Sequence, residues 1–309
     1  MTHHQGLVTV AVPTYNRPIQ LRRALECILE QTYKNLELII SDNASTTPET
    51  VEIAKEFSER DSRVRYIRQK TNIGAFANFS YLLKQANGEY FMWAADDDLW
   101  NPWFIEKCVH ALFFFPDVAA AMTEAQYFGE TGLYSFFPEG KSFYRFVRRS
   151  KHSAIEHVLD NNYGNLIYSL FRKSALMKDG CFFWEEAGML SSNEIPALLY
   201  AATAGGFIVL PEIGFYKGVP MSVFEQARWE MRGGRLPKAS RIYGWDSAFQ
   251  TWIYHKKALE DIHNAIKRLP IEEECRNKLL RKSRWNLFKH FFWMLIGWKP
   301  TSTCGNSGE

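Results

Sequence analysis

Apolar and polar positions alternate in two kinds of block along the first third of the chain. Short unbroken aliphatic runs at residues 7–12 (LVTVAV), 36–42 (LELIISD), 63–69 (RVRYIRQ) and 90–95 (YFMWAA) predict buried strands. Between them the apolar positions change to helical spacing. Pro18 suits a first helical turn, and Leu21, Ala24, Leu25, Ile28 and Leu29 follow on one face. Residues 48–60 repeat the pattern with Val51, Ile53, Ala54 and Phe57, and residues 75–86 do so a third time before the Asn87-Gly88 turn. Strand and helix alternating at ~30-residue spacing predict a parallel α/β sheet. In such a sheet, ligands bind beyond the carboxyl ends of the strands.

After residues 113–116 (FFFP) the pattern loosens. Residues 118–125, 166–172 and 207–212 read as further strands and 195–204 as a helix, whereas 126–165 have weak periodicity. Residues 218–245 read as a loop or open arm. From Ala248 the chain reads as helical, with a break at Pro270. No internal repeat is visible.

Composition narrows the class. The chain has 309 residues, 46% hydrophobic and 23% charged, which excludes wholesale disorder. Five scattered cysteines with no CxxC pair argue against a disulfide framework or a thiolate zinc site, and favour a reducing compartment. The first residues, MTHHQG, carry no apolar leader, and residues 287–298 are too short an apolar stretch to span a bilayer. A net charge of +3 does not point to nucleic acid. The charge is uneven, however: between Glu274 and Glu309 stand seven bases and no acid, among Phe and Trp residues.

The candidate chemistry lies where the predicted strands end. Asp96, Asp97 and Asp98 follow the fourth strand; such a run is either a solvated turn with a helix cap or a set of hard oxygen ligands for Mg²⁺ or Mn²⁺. Pro13, Thr14, Tyr15, Asn16 and Arg17 follow the first strand, and Asp42-Asn43 the second. Together they offer a ring to stack a base, a carboxylate to accept from an imide N–H and a guanidinium for phosphate. Asn72 and Gly74 open the third helix, with Asn78 one turn on; this is either an anion-binding helix start or an ordinary turn. P-loop, dinucleotide-binding, HExxH and nucleophile-elbow motifs are absent.

In this order, VAVPTYNR, LIISDNAST, NIGAFANF and NGEYFMWAADDDLWNP resemble the family 2 glycosyltransferases of the GT-A fold, closely over residues 7–120 and more loosely to about 222. The resemblance implies an α/β, Rossmann-like GT-A fold, with a mostly parallel sheet flanked by helices and a helical C-terminal extension. It implies a catalytic domain over 1–222, divided into a nucleotide-sugar half (1–120) and an acceptor half (121–222), then a mainly helical region over 223–309. Pro13, Thr14, Tyr15 and Arg17 would line the nucleotide pocket, flanked by Asn72 and Gly74, and Asp42 would accept from the base. Asp97 would lie near the ribose or metal, and Asp98 would coordinate the metal bridging the donor diphosphate. The motif often reads Asp-x-Asp-Asp; its first position here is Ala95, so Asp96 either compensates or points away. Glu194 falls where the family carries its catalytic carboxylate; a helix-start glutamate completing a cap is the other reading. Val219 stands where some members carry a His.

The implied activity is metal-dependent, inverting transfer of a sugar from a nucleotide-sugar, with UDP favoured, to a hydroxyl of a glycan or polyprenyl-linked acceptor. The setting would be bacterial surface polysaccharide or lipopolysaccharide biosynthesis, in the cytoplasm and peripherally on the inner face of the membrane. A non-catalytic nucleotide-sugar-binding protein on the same fold is the alternative. Residues 276–298 place Leu280, Leu287, Phe291, Met294 and Trp298 on one side of a helix, with Lys278, Lys282 and Lys289 opposite. They would either dock on the catalytic domain or lie on an anionic leaflet.

Overall fold

The computed structural model describes residues 6–129, 132–134, 148–161, 165–178, 181–182, 194–218 and 260–296. The four leading runs form β1 (Val8–Thr14), β2 (Leu36–Asp42), β3 (Val64–Arg68) and β4 (Tyr90–Trp93), joined by α1 (Pro18–Leu29), α2 (Pro48–Arg60) and α3 (Ala75–Gln85). These strands are parallel in the order β3-β2-β1-β4, with Thr14 opposite Asp42 at the carboxyl edge. Burial on both faces explains their unbroken apolar sequence: Val8, Val10, Ala11, Val12, Leu38, Ile39 and Ile40 are fully buried. Trp93 closes this half. Its indole N–H donates to the Phe79 carbonyl at 3.1 Å, and Phe91 meets its ring edge-on.

The chain continues through β5 (Leu99–Trp100), α4 (Phe104–Phe114), β6 (Val118–Gly129), β7 (Gly132–Tyr134), β8 (Arg148–Arg149) and α5 (Lys151–Asn161). Next come β9 (Leu170–Arg172), the short antiparallel pair β10 (Met177–Lys178) and β11 (Cys181–Phe182), α6 (Ile195–Ala204) and β12 (Gly206–Gly218). The sheet extends β4-β9-β6-β12-β5, with β9 and β5 antiparallel to their neighbours. Because β9 runs against both β4 and β6, and β12 pairs parallel with β6, the carboxyl ends of β1, β2, β4, β6 and β12 share one edge.

Two expected strands change. Of residues 166–172 only Leu170–Arg172 are extended, and Leu166–Tyr168 form a 3₁₀ turn. A continuous apolar run does not distinguish a short strand from a buried turn. The strand expected over 207–212 continues to Gly218, because register shifts between Leu210 and Phe215 absorb Pro211 as an irregularity. That extension carries Lys217 to the carboxyl edge.

Residues 260–268 are helical, the chain breaks around Pro270, and α7 (Glu273–Ile296) follows. Leu279 is buried, and Lys278 pairs with Glu156 of α5 at 2.9 Å, so the start of α7 docks on the domain. No described helix is long and apolar enough to cross a membrane. Of the open arm expected over residues 218–245, Gly218 ends β12 and the rest, with Val219, lies outside the described residues, as do 130–131, 135–147 and 162–164 of the weakly periodic stretch 126–165.

Candidate active site

The loop after β1 and the loop after β2 are locked to one another. Asn16, in the left-handed region at φ 55°, accepts through its side-chain carbonyl from the Thr46 and Thr47 amides at 2.8 and 3.0 Å. Its own amide donates to Ser45 Oγ. This tie leaves Tyr15 exposed at the edge, the orientation needed to offer a ring face. Asp42 is enclosed: it accepts from the Ser45 amide at 2.8 Å and the Tyr66 hydroxyl at 3.1 Å, with Arg68 Nε at 3.5 Å. Burial first, and then the Asp42 carboxylate, pushes the Tyr66 hydroxyl well above the usual phenol range. Two hydrogen bonds and an ion pair therefore already hold the Asp42 carboxylate. The half-exposed Arg68 is the charged group that this corner presents outward.

Asn72 and Gly74 form a frame beside this corner. Asn72 Oδ1 accepts from both the Asn43 side-chain amide and the Gly74 N–H at 2.9 Å, and Asn43 Oδ1 accepts from the Ile73 N–H. Gly74 sits at φ 84°, a conformation that disfavours any side chain, and starts α3. Asn78 is buried and exchanges hydrogen bonds with Ser41 at the end of β2.

The three aspartates after β4 have different surroundings. Asp96 accepts from the Thr14 hydroxyl at 2.8 Å and from Arg17 Nη1 at 3.1 Å. Burial pushes its carboxyl up to about 6, against the pull of these partners. Asp97 accepts from the same Arg17 nitrogen at 2.6 Å, and 31% of its side chain faces solvent. Asp98 is fully enclosed, held by Lys217 Nζ and the Gly218 amide, each at 2.9 Å. Burial raises the Asp98 carboxyl, and Lys217 opposes the rise. Lys217 also lies over the Tyr168 ring, 4.4 Å from its centre. A Cβ on Gly218 would collide with the Asp97 carbonyl oxygen, so the end of β12 seats directly on the acidic turn.

Asp98 was expected to face the metal, but both its oxygens point into the protein towards β12. Asp97 is the open carboxylate. Asp96, in place of pointing away, is drawn into the site by Thr14 and Arg17.

Glu194 immediately precedes α6, and Gly205 connects α6 directly to β12. The Glu194 side chain makes no cap hydrogen bond to the helix. The residues preceding it, 183–193, lie outside the described residues.

Sequence reasoning overlooked Lys217, Gly218, Tyr168, Tyr66 and Arg68. Lys217 and Gly218 occur in the segment examined for a His, and Arg68 and Tyr66 in the third strand. Their relevance depends on register, which the apolar pattern does not reveal.

Residues 9–177 match the model of glycosyl transferase family 2. The chain belongs to that family. It is 32% identical to glycosyltransferase GlyA of Streptococcus pneumoniae over 161 residues, covering 52% of this chain and 20% of GlyA. It is 36% identical to the putative colanic acid biosynthesis glycosyl transferase WcaA of Escherichia coli K12 over 96 residues, 31% of this chain and 34% of WcaA. The match thus spans well under two thirds of either relative. Among solved structures, Staphylococcus aureus TarS 1-349 in complex with UDP-GlcNAc superposes with a TM-score of 0.57 at 14% identity, over 93% of this chain and 81% of that one. The mannosyltransferase PcManGT of Pyrobaculum calidifontis, in complex with GDP-Man and Mn²⁺, gives 0.53 at 18% identity, over 96% and 86%. These two likenesses establish the shared fold of this family 2 chain, a mixed α/β GT-A architecture.

Proposed function

We propose that the chain transfers a sugar from a nucleotide-sugar, with a uracil base favoured, to a hydroxyl of a glycan or polyprenyl-linked acceptor in surface polysaccharide or lipopolysaccharide biosynthesis. One observation carries this reading: Tyr15, Arg17, Asp42 and the acidic turn converge on one sheet edge, where ligands of parallel α/β sheets bind. The donor complexes of TarS and PcManGT support the choice of ligand class. In this reading residues 1–222 form the catalytic unit, with donor and acceptor halves meeting near residue 120, and 223–309 form its helical extension.

A divalent cation, Mn²⁺ or Mg²⁺, would be held by Asp97, whose carboxylate is partly exposed and paired with Arg17, while that of Asp98 is enclosed. Among the described residues no three His, Cys, Asp or Glu side chains gather to hold a metal. An ion held by one or two carboxylates, with diphosphate oxygens and water completing its shell, needs no such cluster. When bound, it would supply charge stabilisation for the leaving diphosphate. The chain's own groups do the rest. Tyr15 stacks the base, Asp42 and Arg68 meet its polar edge, and Arg17 meets the diphosphate. Pro13 and Thr14 shape the floor, Asn72 and Gly74 its side, and Asp96 is held ready beneath the ribose. Glu194 takes the proton of the attacking acceptor hydroxyl, and attack opposite the leaving group inverts the anomeric centre.

Thermal-shift measurement with UDP, dTDP, GDP and their sugars plus Mn²⁺ tests the reading. A uridine nucleotide is expected to raise the melting temperature most, and no shift with any of them overturns it. Hydrolysis or transfer of the bound donor then separates an enzyme from a non-catalytic binder.

The same reading places the enzyme in the cytoplasm, peripherally on the inner face of the membrane through residues 276–298. Lys278 and Leu279 engage the domain, but Trp285 is 56% exposed. Flotation with vesicles containing phosphatidylglycerol is expected to carry the full chain, and less so at high salt. Equal recovery with neutral vesicles counts against the membrane role.

A further inference from the structure

The three aspartates are neutralised by two cations of different kinds. Lys217 is enclosed, with 18% of its side chain exposed, and its Asp98 partner has none. That pair is permanent, because separating it would strand two charges away from water. Arg17 is half exposed at the start of α1. It reaches both Asp96 and Asp97 with one nitrogen, Nη1. Its Nε and Nη2 donate to no described residue, which leaves the bidentate edge of the fork free to meet an anion.

We propose that Arg17 is an exchanging cation: it holds Asp97 until a nucleoside diphosphate arrives, then transfers to the diphosphate and frees Asp97 for the divalent ion. The inference rests on the donor-binding reading above. Arg17, on Asp97 Oδ2, and a divalent ion are competitors for the Asp97 carboxylate, and they repel one another. With no diphosphate present, Arg17 occupies the carboxylate and disfavours the ion. A diphosphate offers the guanidinium a paired set of oxygens with more charge than one carboxylate. The free Nε–Nη2 edge lets the diphosphate dock before Nη1 releases Asp97. Because coupling between two ligands is reciprocal, the ion then strengthens nucleotide binding by the factor with which the nucleotide strengthens ion binding. The device would keep the site from filling with a metal ion alone. It would also order events, with the ion secured only alongside a donor.

The test is Mn²⁺ affinity, read from the free-ion electron paramagnetic resonance signal, with and without UDP. It uses the full chain and the variants Arg17→Met and Arg17→Gln. Without nucleotide, either variant is expected to bind Mn²⁺ about tenfold or more tightly than the wild type, since one unit of opposing charge is gone. The gain should vanish when Asp97→Asn is added. With UDP, the enhancement of Mn²⁺ affinity seen in the wild type should shrink by a similar factor in the variants. Mn²⁺ binding that is no tighter in a folded variant without nucleotide overturns the proposal, as does a gain that survives Asp97→Asn. The glutamine variant keeps the result decisive if the methionine variant loses its fold. Failure of the donor reading looks different: no nucleoside diphosphate would then bind the wild type, while the nucleotide-free comparison would still report on Arg17.

Discussion

Glu194→Gln is expected to lower sugar transfer by about 10²–10⁴-fold, the usual contribution of a positioned general base. Donor affinity and melting temperature should stay at wild-type values. The amide keeps the shape of the side chain and removes only its capacity to take a proton. Glu194 is half-buried at the head of α6 and does not cap that helix, so the substitution should not unravel its first turn. Initial-rate kinetics and a thermal melt separate the outcomes. A fall in turnover at constant donor affinity supports the base; near-normal turnover in a folded variant assigns proton removal elsewhere.

Lys217→Met is expected to give the largest loss of stability among the site residues. Removing one partner of a buried ion pair strands the other charge, and such losses run to about 3–5 kcal/mol. Here the stranded group is Asp98, with no side-chain exposure and only the Gly218 amide left beside it. The acidic turn is tied to β12 through this contact, so donor binding should weaken as well. The double variant Asp98→Asn with Lys217→Met should recover much of the lost stability, because no charge is then left unpaired. Denaturant titration of the two single variants and the double one measures the coupling. Additive losses would mean that the pair does not hold the turn.

The roles of these two residues were legible to different degrees. Glu194 came from a motif, and the structure puts it immediately before α6. Lys217 was not identified at all. It lies 119 positions from Asp98, beyond the end of the strand expected over 207–212. Only the register shift around Pro211, which lets β12 run on to Gly218, brings the two together. The same applies to Asp97 and Asp98. As neighbours in sequence they look interchangeable, yet in the turn between β4 and β5 the end of β12 encloses one and leaves the other partly exposed.

By itself the sequence determined the parallel half of the sheet, the family and the edge at which the candidate site lies. It could do so because strands buried on both faces must be continuously apolar, and because polar clusters at their ends have nowhere else to go. The tertiary structure alone decided the antiparallel insertion of β9, the length of β12 and the division of labour among the three aspartates. Those depend on contacts between segments distant in the chain, where register and burial, not local composition, determine which carboxylate meets a lysine, which an arginine and which the solvent.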